Sequence, residues 1–373
     1  MTATEDIIGR SELNDIEAIL AITNPGSDAT HLGVPSHFDS MFTWDYKTAR
    51  PALAKLYAKA KTSQWNGATD LDWNTDVDPE QVAQTLIINE RSALFSSMDV
   101  VGTPFENWQL KDWIRYEVEA QNWALSQFTH GEQGALLCTA RVVETVPFMD
   151  AKYYAATQVV DEARHVEVFS RYLNEKLDGM YPINAHLQLL LEDILQDSRW
   201  DMTYLGMQVM VEGLALAAFS FVHQTTSEPL LKKLLRYVMS DEARHVAFGV
   251  LSLQDYYAEL SDVEILERQE FAFEAAVRMR DRFLQQEVWE RLELPVKEVV
   301  SLIVHSPERQ LFQSLLFSKI VPNCKKLGLL DRNNGWLRQR FTELGVIQFE
   351  DAADTSEEYS ALDEVAKDRA AVA

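Results

Sequence analysis

Two stretches of this 373-residue chain carry the same five residues: Asp161-Glu162-Ala163-Arg164-His165 and, 80 residues later, Asp241-Glu242-Ala243-Arg244-His245. Each contains Glu-x-x-His, which on a helix sets a carboxylate and an imidazole about one turn apart on the same side. A single such pair is an ordinary product of a charged helix surface. Two identical pairs, joined to further glutamates in apolar surroundings, are the ligand types that hold a pair of metal ions between helices.

Position decides between a solvated face and a metal site. Around the second copy Leu231, Leu234, Leu235, Val238, Glu242, His245, Val246, Gly249 and Leu253 recur at three- and four-residue steps. Lys232, Lys233 and Arg236 take the opposite face. This is the apolar stripe of an amphipathic helix. The first copy repeats it with Tyr154, Gln158, Glu162, His165, Val166 and Phe169. A carboxylate on such a stripe is costly unless a positive charge meets it, and metal ions supply that charge.

Two more glutamates complete the set. Glu132 precedes Glu162 by 30 residues, and Glu212 precedes Glu242 by 30. One shift of 80 residues therefore carries Glu132, Glu162 and His165 onto Glu212, Glu242 and His245. The same shift carries Ala135, Leu136 and Asp161 onto Ala215, Leu216 and Asp241. The pattern is a duplicated helix pair converging on one centre. Glu212 lies inside the apolar run from Leu205 to Val222. Gln208 and Glu212 within it, and the lack of a flanking Lys/Arg cluster, argue against a membrane span.

On these residues the chain, over about positions 113–258, resembles the ferritin-like di-iron carboxylate proteins, which place one Glu on each of two helices and Glu-x-x-His on each of two others. The resemblance implies an all-α fold: a ferritin-like four-helix bundle with a di-metal centre, elaborated by additional N- and C-terminal helices. It implies Glu132, Glu162, His165, Glu212, Glu242 and His245 as metal ligands. It implies two iron ions as cofactor, manganese beside iron being accepted by the same ligands, and O2 as co-substrate. Asp161 and Asp241 match aspartates that hold ligand imidazoles in this family. Here each is expected to accept from the histidine of the opposite pair, Asp161 from His245 and Asp241 from His165. Arg164 and Arg244 either pair with those aspartates or stay as surface charges.

Differences from the family narrow the chemistry. Radical-generating small subunits of ribonucleotide reductase place a tyrosine four residues after the first histidine, where this chain has Phe169. Arylamine N-oxygenases carry a histidine four residues before the last glutamate, where this chain has Val238. Phe128, Leu136, Phe169, Leu205, Leu216 and Phe248 are the expected pocket walls, with Gly249 leaving room near the metals. Tyr204 and Gln208 face the same way. Such a pocket suits a small apolar or aromatic organic substrate, so the leading expectation is an oxygen-using di-iron oxidase or oxygenase. The alternatives are a metal-handling protein with ferroxidase activity and a scaffold with a structural di-metal site.

The net charge of −24 argues against nucleic acid or an anionic membrane as partner, because phosphates are repelled. It suits a chain that draws in a basic electron donor; a ferredoxin or a reductase is the kind of protein expected there, and a homodimer is compatible with this class. Cys138 and Cys324 are too few for a disulfide scaffold or a thiolate site and read as core thiols. The start, Met1-Thr2-Ala3-Thr4-Glu5-Asp6, lacks the features of a signal peptide, which points to the cytoplasm.

Residues 1–106 are expected to form an N-terminal helical extension packed on the bundle, and 107–258 the bundle itself. The expectation for 259–345 is further helices of the same domain, and for 346–373 an acidic mobile tail. Periodicity places helices at about 47–64, 79–100, 107–145, 150–177, 185–198, 200–225, 228–258, 262–292, 296–328 and 333–344. Between the first two, Trp65 and Trp73 stand among turn formers, as an ordered loop or as a lid or docking surface.

With Phe169 in the radical position, no stable tyrosyl radical is expected there after iron loading and exposure to oxygen. Electron paramagnetic resonance checks this, and a strong tyrosyl signal surviving replacement of both Tyr204 and Tyr154 would overturn it.

Overall fold

The elements that hold the two pentapeptides begin and end on local chemistry. The computed structural model describes residues 7–24, 30–89, 100–177 and 179–357, which contain helices and no strand. Helices α1 (Pro51–Thr62) and α2 (Pro79–Ile88) precede the bundle. The bundle comprises α3 (Leu110–Thr145), α4 (Met149–Lys176), α6 (Trp200–Thr225) and α7 (Pro229–Glu259), with α5 (Ala185–Gln196) crossing between its halves. After it come α8 (Asp262–Arg282) and α9 (Gln286–Arg291).

Helix α3 opens on a capping box in which the Gln109 N–H donates to Asp112 Oδ2 at 2.9 Å. It ends because Pro147 holds Val146 in an extended conformation. Helix α7 opens with Pro229 in its first turn, and the Glu228 carboxylate accepts from Leu230 N and Leu231 N at 2.7 and 2.6 Å. The same carboxylate accepts from Tyr172 of α4 at 2.8 Å, so one buried acid both caps α7 and ties it to the other helix pair. Helices α3 and α4 pack along their length, as do α6 and α7; α1 lies against α4 and α7, and α8 against α5 and α6.

Helix α6 departs from the periodic reading, which gave a single regular helix. Leu205–Val211 is a π-helix, and the Glu212 N–H donates to the Met207 carbonyl, five residues back. Every residue of that segment is buried, so it has no amphipathic phase in which an extra residue per turn could be seen. Burial also explains its apolar composition: α6 is long and apolar enough to cross a membrane, yet 78% of its most apolar window is inside the bundle.

Other boundaries move for identifiable reasons. The helix expected over 262–292 breaks at Phe283–Gln285, where Gln285 is left-handed at φ 55°. The stretch expected as one helix over 296–328 is three, Val296–Ile303, Pro307–Leu316 and Ile320–Lys326, with Ser306 capping the second ahead of Pro307. The last helix, Arg332–Glu343, contains a left-handed turn at Asn333-Asn334-Gly335. Helix α2 stops at Ile88; residues 90–99, expected to continue it, lie outside the described residues, as do the first six residues and 358–373. The part of the acidic tail up to Glu357 is held rather than frayed: Thr355 N donates to Asn323 Oδ1 at 2.9 Å, and Asp354, Thr355 and Ser356 are buried.

Gly249 on α7 serves a different purpose from the one expected. A Cβ there would lie 2.6 Å from Gln208 Cβ on the π-segment, so the glycine lets α6 and α7 approach each other rather than opening space at the metals. The obstructing atom is the root of a side chain, which cannot swing aside. Gly249→Ala is therefore expected to destabilise the fold by about 1–3 kcal/mol through overpacking, measured by thermal or denaturant unfolding.

Candidate metal centre

Glu132 of α3, Glu162 and His165 of α4, Glu212 of α6, and Glu242 and His245 of α7 are all buried. The bundle brings them together as two overlapping groups, Glu132, Glu162, His165 and Glu242 in one and Glu162, Glu212 and His245 in the other. Within each group the ligand atoms lie within 4.8 Å of one another. Glu162 belongs to both. Glu242 Oε1 lies 3.1 Å from His165 Nδ1 and 3.4 Å from His245 Nδ1. Glu132 and Glu212 stand at the outer ends: Glu132 Oε2 is 3.2 Å from His165 Nδ1, and Glu212 Oε1 accepts from Gln158 Nε2 at 3.0 Å.

Each imidazole turns Nδ1 to the cluster and Nε2 away from it. His165 Nε2 lies 3.2 Å from Asp241 Oδ2, and His245 Nε2 lies 3.4 Å from Asp161 Oδ2. The aspartates thus cross between the two helix pairs. An acceptor on Nε2 keeps a proton there and leaves the Nδ1 lone pair to the cluster. Arg164 and Arg244 are buried with them. Arg164 donates to Asp161 and, at 3.0 Å, to Asp241; Arg244 donates to Asp241. Their charges hold both aspartates ionised: burial raises the two carboxyls, but the histidines and arginines outweigh it and leave both below the ordinary range.

A third layer comes from the tryptophan loop. Trp65 Nε1 donates to Asp241 Oδ2 at 2.7 Å, and Gln64 Nε2 donates to Asp161 Oδ1 at 3.1 Å while Gln64 Oε1 accepts from Arg164 at 2.8 Å. The Trp65 ring stacks on Tyr237 at 5.0 Å, with the Arg164 guanidinium over it at 4.7 Å. Trp73 is pinned to Gly67 O at 2.7 Å. The loop is ordered, as one of the two readings had it, and it also reaches the centre. Nothing in local sequence joins Trp65 to Asp241, 176 residues away. Gln158 was legible, since it sits one turn before Glu162 on the same stripe; the shift of 80 puts Val238 opposite it, so the two ends of the cluster are not equivalent.

Burial dominates the ionisation of the cluster. It pushes Glu132 and Glu212 well above the usual carboxylate range, helped by Glu242 in the first case and Glu162 in the second. At Glu162 burial acts upward too, but His245 and His165 outweigh it and lower the carboxyl. Burial lowers both imidazoles, yet Glu132 and Asp241 raise His165 well above its ordinary value, and Glu162 and Glu242 do the same for His245. Without metal, then, the cluster stores protons that divalent ions would displace.

The donors fit such ions. Glu162 Oε2, Glu212 Oε2, both Glu242 oxygens and His245 Nδ1 are buried without a hydrogen-bond partner among the described residues. His245 Nδ1 is 3.0 Å from Glu162 Oε1, near enough for an ion pair but not aligned as a hydrogen bond. Buried polar atoms are normally satisfied, and these orphaned oxygens and nitrogen belong to the two groups whose spacing could hold a cation. Carboxylate oxygen with imidazole nitrogen suits iron or manganese.

Of the expected pocket walls only Phe128 lines a cavity beside the cluster. A small cavity of about 20 Å³ touches Glu132, Glu212 and Glu242 and is walled by Phe128, Ala135, Val211, Ala215 and Phe219. A larger one of about 150 Å³ shares Phe128 and runs past Leu125, Ala218, Phe221, Phe283 and Phe312. Leu136 and Leu216 are displaced by Ala135 and Ala215, three rather than four residues after their glutamates. Phe169 packs behind the wall, 6.0 Å from Phe128 and 5.6 Å from Phe219. Tyr204 and Phe248 meet edge to face at 5.1 Å, and Gln208 Nε2 donates to Thr139 Oγ1 at 3.5 Å. These three, with Leu205 and Gly249, line neither cavity. The small cavity also takes in Arg282, which sequence reading passed over within the charged run Arg278-Met279-Arg280-Asp281-Arg282.

The bundle and the cluster together define an all-α, ferritin-like fold with a carboxylate–histidine site suited to two metal ions. No protein-family model and no curated protein matches the chain. Among solved structures it is similar to an R2-like ligand-binding oxidase with an aerobically reconstituted metal cofactor after photoconversion, at TM-score 0.48 and 17% identity, covering 76% of this chain and 94% of that one. It is similar also to a single-residue variant of an R2-like ligand-binding oxidase with an anaerobically reconstituted Mn/Fe cofactor, at TM-score 0.48 and 18% identity over 78% and 98% of the two chains. A third, an R2-like ligand-binding oxidase with an aerobically reconstituted Mn/Fe cofactor, gives 0.47 and 16% over 76% and 94%. At TM-scores below 0.5 these likenesses carry no weight for function, which rests on the geometry of this chain.

Asp241 meets His165, Arg164, Arg244 and Trp65 at once. Asp241→Asn is expected to lower metal affinity roughly 10- to 100-fold with helix content retained. Metal titration followed alongside circular dichroism checks this; an unchanged affinity would sink the positioning role.

Proposed function

We propose that this chain holds two iron ions and uses O2 to oxidise a small apolar or aromatic organic substrate, as an oxidase or oxygenase. One observation carries the reading: two buried groups of carboxylate and imidazole share Glu162, and five of their oxygen and nitrogen atoms are buried without a hydrogen-bond partner among the described residues. In this reading Glu132, Glu162, His165 and Glu242 would hold one ion, and Glu162, Glu212 and His245 the other. Manganese in place of one iron is compatible with the same donors. The chemistry such a pair supplies when bound is the reduction of dioxygen coupled to oxidation of the substrate.

The protein's own contribution is placement and exclusion. Asp161 and Asp241 fix the imidazole rings. Ala135 and Ala215 leave the space over the cluster that larger side chains would fill. Phe128, Phe169 and Phe219 form a continuous aromatic wall that keeps bulk water away, Phe128 and Phe219 meeting edge to face at 4.7 Å. A dry, preorganised site is what protects a strong oxidant from water.

Purified chain is expected to bind about two metal ions, and Glu162→Ala combined with His245→Ala should remove most of them while helix content remains. Elemental analysis decides the first point, and full occupancy in the double variant refutes the ligand set. Oxygen consumption that depends on added reductant and organic substrate supports the enzyme; many irons retained per chain, with oxygen uptake driven by ferrous iron alone, marks a storage role instead.

A further inference from the structure

Charge accounting around the centre leaves one cation over. With neutral imidazoles, the four glutamates balance two divalent ions. Asp161 and Asp241 balance Arg164 and Arg244. Arg282 has no counterpart. It ends α8 and is only 5% exposed; its Nε is buried without a hydrogen-bond partner, and among the described residues no carboxylate forms an ion pair with it. Its neighbour Asp281 is taken by Arg10 and Arg280. The guanidinium lies over the Phe283 ring at 4.7 Å. Burial alone pushes its pKa down to about 10, so it remains charged at neutral pH.

Arginine is the side chain built to grip a carboxylate through two parallel N–H donors, and a buried one left unpaired is costly. This one lines the small cavity beside Glu132, Glu212 and Glu242. We propose that Arg282 anchors the substrate, and that the substrate is an organic monocarboxylate whose acid group binds Arg282 rather than the metals. The rest of the molecule has a place to go. Arg282 and Phe283 are adjacent in sequence and line the small and the larger cavity respectively, and Phe128 lines both. The larger cavity, about 150 Å³, is lined mainly by apolar side chains with Glu117 and Arg309 also on its wall, and it matches in volume a cavity that binds benzene. An aromatic acid fits the pair: ring among Phe128, Phe221, Phe283 and Phe312, carboxylate on Arg282, reacting atoms held between ring and acid and facing the cluster.

The inference rests on the two-ion reading above, since without the ions Arg282 would simply offset excess carboxylate. The probes are benzoate and its neutral analogue benzamide, titrated by calorimetry into protein loaded with two metal ions. Benzoate is expected to bind saturably and more tightly than benzamide. Arg282→Met should weaken benzoate by roughly 10- to 100-fold, the scale of a lost charged hydrogen bond, and abolish the preference, while Arg282→Lys retains part of both. Loaded with two metal ions and free of benzoate, Arg282→Met should also melt higher than wild type, because an unpaired buried charge has been replaced by an apolar chain of similar length. No saturable benzoate binding up to about 10 mM, equal binding of benzamide, or equal benzoate affinity in wild type and Arg282→Met each overturns the proposal. A lower melting temperature for the metal-loaded, benzoate-free Arg282→Met overturns it too, showing the guanidinium to be paired within the fold. Metal analysis separates the two readings: a chain that does not hold two ions fails the proposed function, whereas one that holds them and ignores benzoate fails only this inference.

Discussion

Burying four carboxylates and two imidazoles in the middle of a helical bundle is the constraint on which the rest of the structure depends. Burial drives Glu132 and Glu212 toward their neutral forms, so the cluster needs positive charge around it. Arg164 and Arg244 supply it to the two aspartates behind the imidazoles. Each is three residues after its own aspartate, the spacing at which helix neighbours meet, and Arg164 also crosses to the aspartate of the other pair. The repeated Asp-Glu-Ala-Arg-His is therefore a complete unit: cluster residues on one edge, and on the next the charge pair that steadies the opposite imidazole.

This crossing makes the bundle cooperative around its centre. His165 is held by Asp241 and His245 by Asp161, so neither helix pair carries a finished half-site. The N-terminal extension joins the same network, because Trp65 and Gln64 bond to the two aspartates. Residues far from the bundle in sequence thus set the orientation of the imidazoles, and the extension belongs to the site rather than to a separate module.

Above the cluster the chain trades bulk for space. Small residues at Ala135 and Ala215 leave a cavity, aromatic rings line it, and Arg282 at the end of α8 brings in a charge with no ion-pair partner among the described residues. Burying such a charge works against stability, and proteins accept that cost where a ligand completes the pairing. The π-segment before Glu212 is another local irregularity at the same place. The Gln208–Gly249 contact shows how it is accommodated, with a glycine on α7 letting the wider turn pack.

The sequence by itself determined the helical class, the four bundle helices and the six cluster residues. The reason is periodicity: a carboxylate on an apolar stripe stands out against its neighbours, and a duplication with one fixed shift shows which residues are equivalent. It also paired each aspartate with the opposite histidine, because a ligand imidazole needs an acceptor and the two aspartates repeat with their glutamates. Tertiary structure alone decided what depends on facing surfaces. The π-turn left no trace because its residues are buried on every side. Pocket walls fell at the third rather than the fourth residue after each glutamate, a rotation that neighbouring helices impose. Trp65 and Arg282 gained their meaning only from contacts with elements distant in the chain. One reads locally as a loop tryptophan and the other as one charge in a run of charges, since sequence records what a residue is and not what it is folded against.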